Sequence, residues 1–257
     1  MKKFIVIRLK AVVFILMVGI LIAAAAGSYY IRHIDRYPKL YAVNTIEKDV
    51  GTKKTVYLTF DDGPSAITEK ILDILDRENI KATFFVIGPE GEKTDERLLK
   101  IYEKGHTIGV HSWSHNYNKI YSSVDRFLED FNNERQWIYD VTGEYPVIFR
   151  FPGGSGNSCA DKDVMREIKD EMSRRGFVWY DWNADGEDSV HSYISAWEIA
   201  ENVFRCENKD EIVVLLHDSS TKRTTPEAVE LIISKYKAEG YSFGVLTDMK
   251  KPIKQNT

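Results

Sequence analysis

Between residues 53 and 250, short apolar segments alternate with longer segments whose apolar residues recur every three or four positions. The apolar segments are typical of strands, for example KTVYLTF at 54–60 and ATFFVIG at 82–88. About seven such segments are present, and each but the last is followed by a helical one. Because strands that alternate with helices pair in parallel, this pattern predicts an α/β fold with a parallel sheet, open or closed into a barrel.

The N-terminal region has a different character, because residues 11–31 carry no charge. A helix of this length spans about 30 Å, the thickness of the hydrocarbon core of a bilayer. Four basic residues and no acidic residue precede it: Lys2, Lys3, Arg8 and Lys10. The positive-inside rule then predicts a single-pass membrane anchor that leaves everything after Ile31 extracytoplasmic. The alternative is a secretory signal that is cleaved near the small residues 23–27.

These patterns divide the chain into a membrane anchor or signal at 1–31, a linker at 32–52 and a globular domain at 53–250. The formal net charge of −4 argues against a nucleic-acid partner held by bulk electrostatics.

The two cysteines, Cys159 and Cys206, can form a disulfide outside the membrane, but the sequence gives no distance between them. Their pairing therefore stays open.

Ionisable residues follow five of the predicted strands at the points where the strands end. They are Asp61 and Asp62 in TFDDGP, His111 and His115 in HSWSH, Arg150, Asp181, and His217 with Asp218. In a β/α barrel, the loops at the C-terminal ends of the strands form one face, where catalytic groups collect. The sequence therefore predicts that these side chains meet in one functional site.

The histidine pair and the aspartate pair together point to a metal. His111 and His115 are four residues apart, so on a helical turn both imidazoles point the same way. Adjacent carboxylates repel each other unless a cation holds them, and two histidines with one carboxylate form the ligand set of a hydrolytic zinc site. We therefore expect Asp62 to bind the metal with the two histidines, and Asp61 to stay free to take a proton from water.

Five motifs in chain order, TFDDGP, HSWSH, RFPGG, DWN and LLHD, resemble those of the polysaccharide deacetylases, the NodB-homology carbohydrate esterases of family 4. The resemblance covers residues 53–248 and marks 53–250 as a catalytic domain. It implies a distorted β/α barrel of about seven strands and one divalent metal, usually zinc. It also implies removal of N- or O-acetyl groups from a glycan polymer.

The resemblance implies roles for four charged residues. Asp61 corresponds to the general base, and Arg150 to the arginine that steadies it. His217 resembles the general acid that protonates the leaving amine, and Asp181 resembles the partner that orients His217.

Three further residues correspond to positions that contact the substrate. Trp182 and Leu215 resemble the apolar residues that line the pocket for the acetyl methyl group. Gly153 stands where the family often has a tyrosine whose backbone N–H helps to hold the oxyanion. A glycine keeps that N–H but loses the aromatic wall.

We expect a metal-dependent N-deacetylase of a cell-wall N-acetylhexosamine polymer, and the predicted membrane anchor makes peptidoglycan the nearest substrate. Chitin oligosaccharides and O-acetylated xylan are alternatives within the same chemistry. A catalytically silent glycan-binding module is an alternative interpretation from another functional class. Such a module is expected to have lost a metal ligand, the base or the acid, and all of these are present in this sequence. A metal phosphoesterase that uses the two aspartates lacks the further carboxylates of a two-metal site.

Overall fold

A computed structural model describes residues 14, 16–27, 37, 40–42, 54–89, 91–190, 193–206 and 209–255. The chain forms two compact units, 1–40 and 41–257. In the first unit, the described residues 14 and 16–27 are helical. No helix within the described residues is both long enough and apolar enough to cross a membrane. The predicted anchor or signal and the predicted linker lie largely outside the described residues.

Strands and helices alternate along the second unit. Its described strands are β1 (Thr55–Gly63), β2 (Thr83–Ile87), β3 (Thr107–Ser112), β4 (Ile148–Phe149), β5 (Val178–Trp179), β6 (Ala184–Asp185), β7 (Glu211–His217) and β8 (Ser242–Gly244). Its described helices are α1 (Ala66–Glu78), α2 (Thr94–Glu103), α3 (Tyr117–Ile120), α4 (Val124–Thr142), α5 (Lys162–Arg174), α6 (Ala196–Phe204) and α7 (Thr225–Ala238). A short 3₁₀ turn, Leu246–Asp248, follows β8.

All recorded strand pairs are parallel, as the sequence predicts, and seven strands follow the order β5-β4-β3-β2-β1-β7-β6. The short strand β8 pairs with the first residues of β1. Among the described residues the end strands β5 and β6 do not pair, so the sheet is a curled half-barrel rather than a closed ring. Strand β1 lies near the middle, and its Asp61 is in register with Phe85 of β2 and His217 of β7.

The central strands are buried on both faces, which explains why they are apolar along their whole length. Helix α1 shows how the helices are fixed against this sheet. Ser65 and Thr68 form a reciprocal capping box at its start, and Asn79 ends it in the left-handed conformation. The Ser65 hydroxyl also donates to the carbonyl oxygen of Asp218 at 2.6 Å, which ties the start of α1 to the loop after β7.

A glycine in β3 leaves space for an aromatic ring that supports Arg150. Gly109 is in register with Phe85, and a Cβ at Gly109 would lie 2.5 Å from the Phe85 ring. The same ring supports the guanidinium of Arg150, whose carbon lies 4.4 Å from the ring centroid. A side chain at position 109 would therefore displace the ring on which Arg150 rests.

We expect Gly109→Ala to lower the free energy of unfolding by about 1–3 kcal/mol, the usual cost of overfilling a packed core. Urea unfolding followed by circular dichroism measures this change. Thr107→Ala, at a half-buried position of the same strand, is the control and should cost less. Equal midpoints for Gly109→Ala and the wild type would contradict this account of the packing.

Candidate active site

Asp62, His111 and His115 form a cluster whose ligand atoms all lie within 4.8 Å of one another. Asp62 Oδ1 is 3.5 Å from His111 Nε2 and 3.3 Å from His115 Nε2. The predicted cluster is therefore formed, but not by a helical turn. His111 lies in β3, whereas His115 lies in the following loop with a positive φ of 46°, and this loop turns the second ring toward the first.

The chemistry of these three residues fits a divalent cation. The Nδ1 atom of His111 is 2.9 Å from the carbonyl oxygen of Arg150, which leaves Nε2 free to act as a ligand. Burial lowers the pKa of His111 to about 3, so its ring is neutral at physiological pH. Asp62 Oδ1 is buried and has no hydrogen-bond partner among the described residues. Two imidazole nitrogens and one unpaired carboxylate oxygen suit zinc and leave positions open for substrate.

A buried carboxylate on α4 holds the loop between the two histidines. Asp130 Oδ2 accepts hydrogen bonds from the Ser112 hydroxyl at 2.6 Å and the Trp113 N–H at 2.8 Å. Its Oδ1 accepts from the N–H and the hydroxyl of Ser114 at 3.1 and 2.5 Å. The Ser112 oxygen in turn accepts from the N–H of His115 at 2.8 Å. Asp130 thus fixes the backbone that carries His115, and the sequence analysis did not single it out.

Asp61 lies beside this cluster but is paired differently from its neighbour. Its Oδ1 accepts a hydrogen bond from Arg150 Nη1 at 2.8 Å, and its Oδ2 is 3.8 Å from His111 Nε2. Burial raises the pKa of Asp61 above its ordinary value, although the charge and the hydrogen bond of Arg150 act in the opposite direction. Arg150 itself is fully buried, and it also donates to the Thr59 hydroxyl and to the Tyr180 carbonyl oxygen.

His217 ends β7 and is held by Asp188. Its Nδ1 atom is 2.7 Å from Asp188 Oδ1, and its backbone N–H donates to Asp188 Oδ2 at 2.9 Å. The Thr225 hydroxyl donates to the same oxygen at 2.8 Å, so the carboxylate is fixed in the fold. Burial lowers the pKa of His217, but the hydrogen bond and the charge of Asp188 outweigh this effect and raise the pKa to about 9.

The predicted pairing of Asp181 with His217 is therefore corrected in favour of Asp188. Asp181 follows β5 at one end of the sheet, whereas β7 lies near the other end. Asp188 comes shortly after β6, which pairs directly with β7. The sequence offers Asp181, Asp185 and Asp188 within eight residues, and only the strand order shows which of them reaches His217.

The side chain of Asp181 has a different set of partners, while its carbonyl oxygen accepts from Arg150 Nη2 at 3.3 Å. It is fully buried and accepts from the N–H and hydroxyl of Ser155 at 2.8 and 2.6 Å. It also accepts from the N–H of Gln255 at 2.7 Å, and its own N–H donates to the Ile253 carbonyl oxygen at 2.9 Å. Asp181 therefore joins the glycine-rich loop after β4 to the C-terminal segment.

The structure also locates the residues predicted to contact the substrate. Leu215 is buried in β7, in register with Thr59. Trp182 is half-buried, and its Nε1 donates to Asp185 Oδ2 at 3.0 Å while its ring lies 5.7 Å from the Arg150 guanidinium carbon. Gly153 is exposed on the loop after β4 and has a positive φ of 75°. Contact with a substrate stays a prediction for all three positions.

Comparison with known proteins identifies the family of this chain. The family model "Polysaccharide deacetylase" matches residues 48–170. The putative polysaccharide deacetylase YheN of Bacillus subtilis is 35% identical over 78% of this chain and 70% of its own length. The chain belongs to the polysaccharide deacetylase family. Members of this family are hydrolases that act on the amide bonds of polysaccharide N-acetyl groups.

Two further relatives of this deacetylase carry more specific names. A peptidoglycan N-acetylglucosamine deacetylase of Bacillus cereus is 30% identical over 74% of this chain and 68% of its own length. The solved catalytic domain of a peptidoglycan N-acetylglucosamine deacetylase from Eubacterium rectale superposes with a TM-score of 0.76. It is 35% identical, and the match covers 83% of this chain and 97% of that domain. The resemblance noted from the five motifs is thereby confirmed, and with it the predicted enzyme class.

Titration of the deacetylase distinguishes Asp188 from Asp181 as the partner of His217. We expect Asp188→Asn to lower the pKa of His217 from about 9 toward or below the ordinary value, because it removes the carboxylate that stabilises the imidazolium. Asp181→Asn is the matched control and should leave this pKa in place. NMR titration of the histidine ring protons in metal-free protein measures both. If only Asp181→Asn lowered the pKa of His217, the predicted pairing of Asp181 with His217 would be restored.

The role of Asp130 can be measured through metal affinity. We expect Asp130→Asn to weaken zinc binding by the deacetylase by about 10–100-fold, the usual effect of removing a group that orients metal ligands. Competition with a chelating dye gives the affinity, and circular dichroism checks the fold. Asp140→Asn, at an exposed position of the same helix, is the control and should bind zinc like the wild type. Equal affinities of all three proteins would show that Asp130 does not position His115.

Proposed function

We propose that this deacetylase removes N-acetyl groups from N-acetylglucosamine residues of peptidoglycan. We propose that it uses one divalent metal ion, and that this ion is zinc. One observation carries the proposal. A buried carboxylate, Asp61, pairs with Arg150 and lies beside the three-residue cluster of Asp62, His111 and His115. A histidine whose pKa is raised, His217, is in register with Asp61 on the neighbouring strand β7. The names of the Bacillus cereus and Eubacterium rectale relatives support peptidoglycan as the substrate.

In this proposal Asp62, His111 and His115 hold the cation. A divalent cation bound there supplies Lewis acidity, which polarises a carbonyl group and acidifies water. The His111 ring is suited to this position because its neutral form presents Nε2 while Nδ1 is occupied by the Arg150 carbonyl oxygen. Asp130 keeps His115 in place through Ser112.

Asp61 acts as the general base. It accepts a proton from the water that attacks the acetyl carbonyl carbon, and the hydrogen bond from Arg150 keeps its carboxylate oriented toward the cluster. Because burial raises the pKa of Asp61, the carboxylate is a stronger proton acceptor than an exposed aspartate. The attack forms a C–O bond and gives a tetrahedral intermediate with a negatively charged oxygen, which the Gly153 N–H is free to stabilise.

His217 acts as the general acid. Its imidazolium, stabilised by Asp188, donates a proton to the amide nitrogen as the C–N bond breaks, and the products are acetate and a free amine on the sugar. Trp182 and Leu215 provide the apolar surface for the acetyl methyl group. Trp182 is held by its hydrogen bond to Asp185, and Leu215 by its strand.

Acetate release tests the proposed substrate. Purified protein, supplied with zinc, is incubated with peptidoglycan, with chitin oligosaccharides and with O-acetylated xylan, each with and without a chelator. We expect zinc-dependent release to be fastest from peptidoglycan. Faster release from either of the other substrates would replace peptidoglycan by that polymer. Binding of a glycan without acetate release from any of them would support a catalytically silent binding module.

The proposed acid has its own test. We expect His217→Ala to retain bound zinc but to lose about 10²–10⁴ in kcat, the usual contribution of one positioned acid. Since the imidazolium is the active form, activity should fall as pH rises through the pKa of His217. Asp188→Asn should move this basic limb to lower pH, and Asp181→Asn should not. Near-normal turnover by His217→Ala would eliminate it as the acid.

We also propose that residues 11–31 anchor the protein and that the catalytic domain is extracytoplasmic, where peptidoglycan lies. The uncharged run and its basic flank support this orientation. Within the described helix at 16–27, large apolar side chains are exposed, among them Ile20, Leu21 and Ile22. Protease added to intact spheroplasts should digest the catalytic domain. Protection of that domain, with a known external protein digested in parallel, would contradict the orientation.

A further inference from the structure

Tyr117 lies at the edge of the candidate site, and no step of the proposed mechanism uses it. It is the first residue of α3, two positions after His115, and its side chain is half-buried. Its ring meets the His115 ring edge-on, with centroids 5.4 Å apart and planes at 86°. The ring also contacts that of Tyr121, with centroids 5.9 Å apart. The phenol of Tyr117 is therefore held between the proposed metal ligand His115 and the loop after β4.

The glycine-rich loop leaves space for this phenol. A Cβ at Gly153 would lie 3.0 Å from Cε1 of Tyr117 and 3.2 Å from its hydroxyl oxygen. The Tyr121 hydroxyl donates to the carbonyl oxygen of Pro152 at 2.7 Å and so fixes the loop just before Gly153. The Tyr117 hydroxyl thus lies against the backbone of Gly153, and any side chain at position 153 would crowd it.

Two hydrogen-bond donors meet here without protein partners. Within the described part of the chain, neither the Tyr117 hydroxyl nor the Gly153 N–H makes a hydrogen bond. The neighbouring N–H groups are already used, because that of Gly154 donates to the Phe151 carbonyl oxygen and that of Ser155 to Asp181. Two unpaired donors close to each other are suited to an oxygen that gains negative charge during a reaction.

We infer that Tyr117 is a catalytic residue whose hydroxyl, together with the Gly153 N–H, donates to the acetyl carbonyl oxygen of the substrate as that oxygen becomes negatively charged. This inference rests on the proposed deacetylation. The phenol is suited to the task because the contacts with His115 and Tyr121 hold its ring in place. A donor fixed before the reaction acts chiefly on the transition state, so its loss should appear in kcat.

Tyr117→Phe tests the inference, since it removes the donor and keeps the ring. We expect kcat for acetate release to fall by about 10–10³-fold while KM changes by less than about threefold. The zinc content should equal that of the wild type. Tyr139→Phe, which removes an exposed hydroxyl from α4, is the control and should leave both constants unchanged. A wild-type kcat in Tyr117→Phe, or a rise in KM alone, would overturn the assigned role.

A second measurement needs no turnover and separates this inference from the proposed function. Acetate carries the same acyl oxygen, and its binding to zinc-loaded protein can be followed by NMR titration. We expect Tyr117→Phe to bind acetate about tenfold more weakly than the wild type and Tyr139→Phe to bind it equally well. If the wild type binds acetate in this way but deacetylates none of the glycans, the proposed function fails and the donor site stands. Equal acetate affinities in all three proteins would remove the donor site.

Discussion

The buried guanidinium of Arg150 holds the centre of the site together. It pairs with Asp61 of β1, donates to the carbonyl oxygen after β5 and rests on the Phe85 ring of β2, while its own carbonyl oxygen fixes the His111 ring of β3. A single residue thus sets the relative positions of four strands at the edge where the polar groups meet. Loss of one partner from such a buried ion pair leaves an uncompensated charge, which usually costs about 3–5 kcal/mol.

Around this arginine, two buried histidines are driven to opposite charge states. Burial alone disfavours the imidazolium of both, and His111 follows that tendency, with its pKa lowered to about 3. His217 has a carboxylate, Asp188, bonded to its Nδ1, and its pKa rises to about 9 instead. At the same pH, one ring is therefore neutral and the other is protonated. The partner of Nδ1 is a neutral carbonyl oxygen in the first case and a charged carboxylate oxygen in the second.

The sequence was informative wherever a local pattern decides the outcome. Helix α1 is one example, because its apolar spacing and its serine cap are local signals. The cluster of Asp62, His111 and His115 was predictable from the strand ends. Asp188 and Asp130 were not, because an aspartate after a short strand or within a helix looks like any other polar residue. Their roles depend on strand order and on helix packing, which no local pattern encodes.

The hydrogen bonds of Asp181 affect the order in which parts of the fold can form. The loop that carries Gly153 is tied through Ser155 to Asp181, and Asp181 is tied to Gln255, which lies 74 residues further along the chain. Contacts between distant parts of a chain form late, since the cost of closing the intervening loop comes first. During synthesis, this loop lacks one of its supports until the segment around Gln255 has left the ribosome.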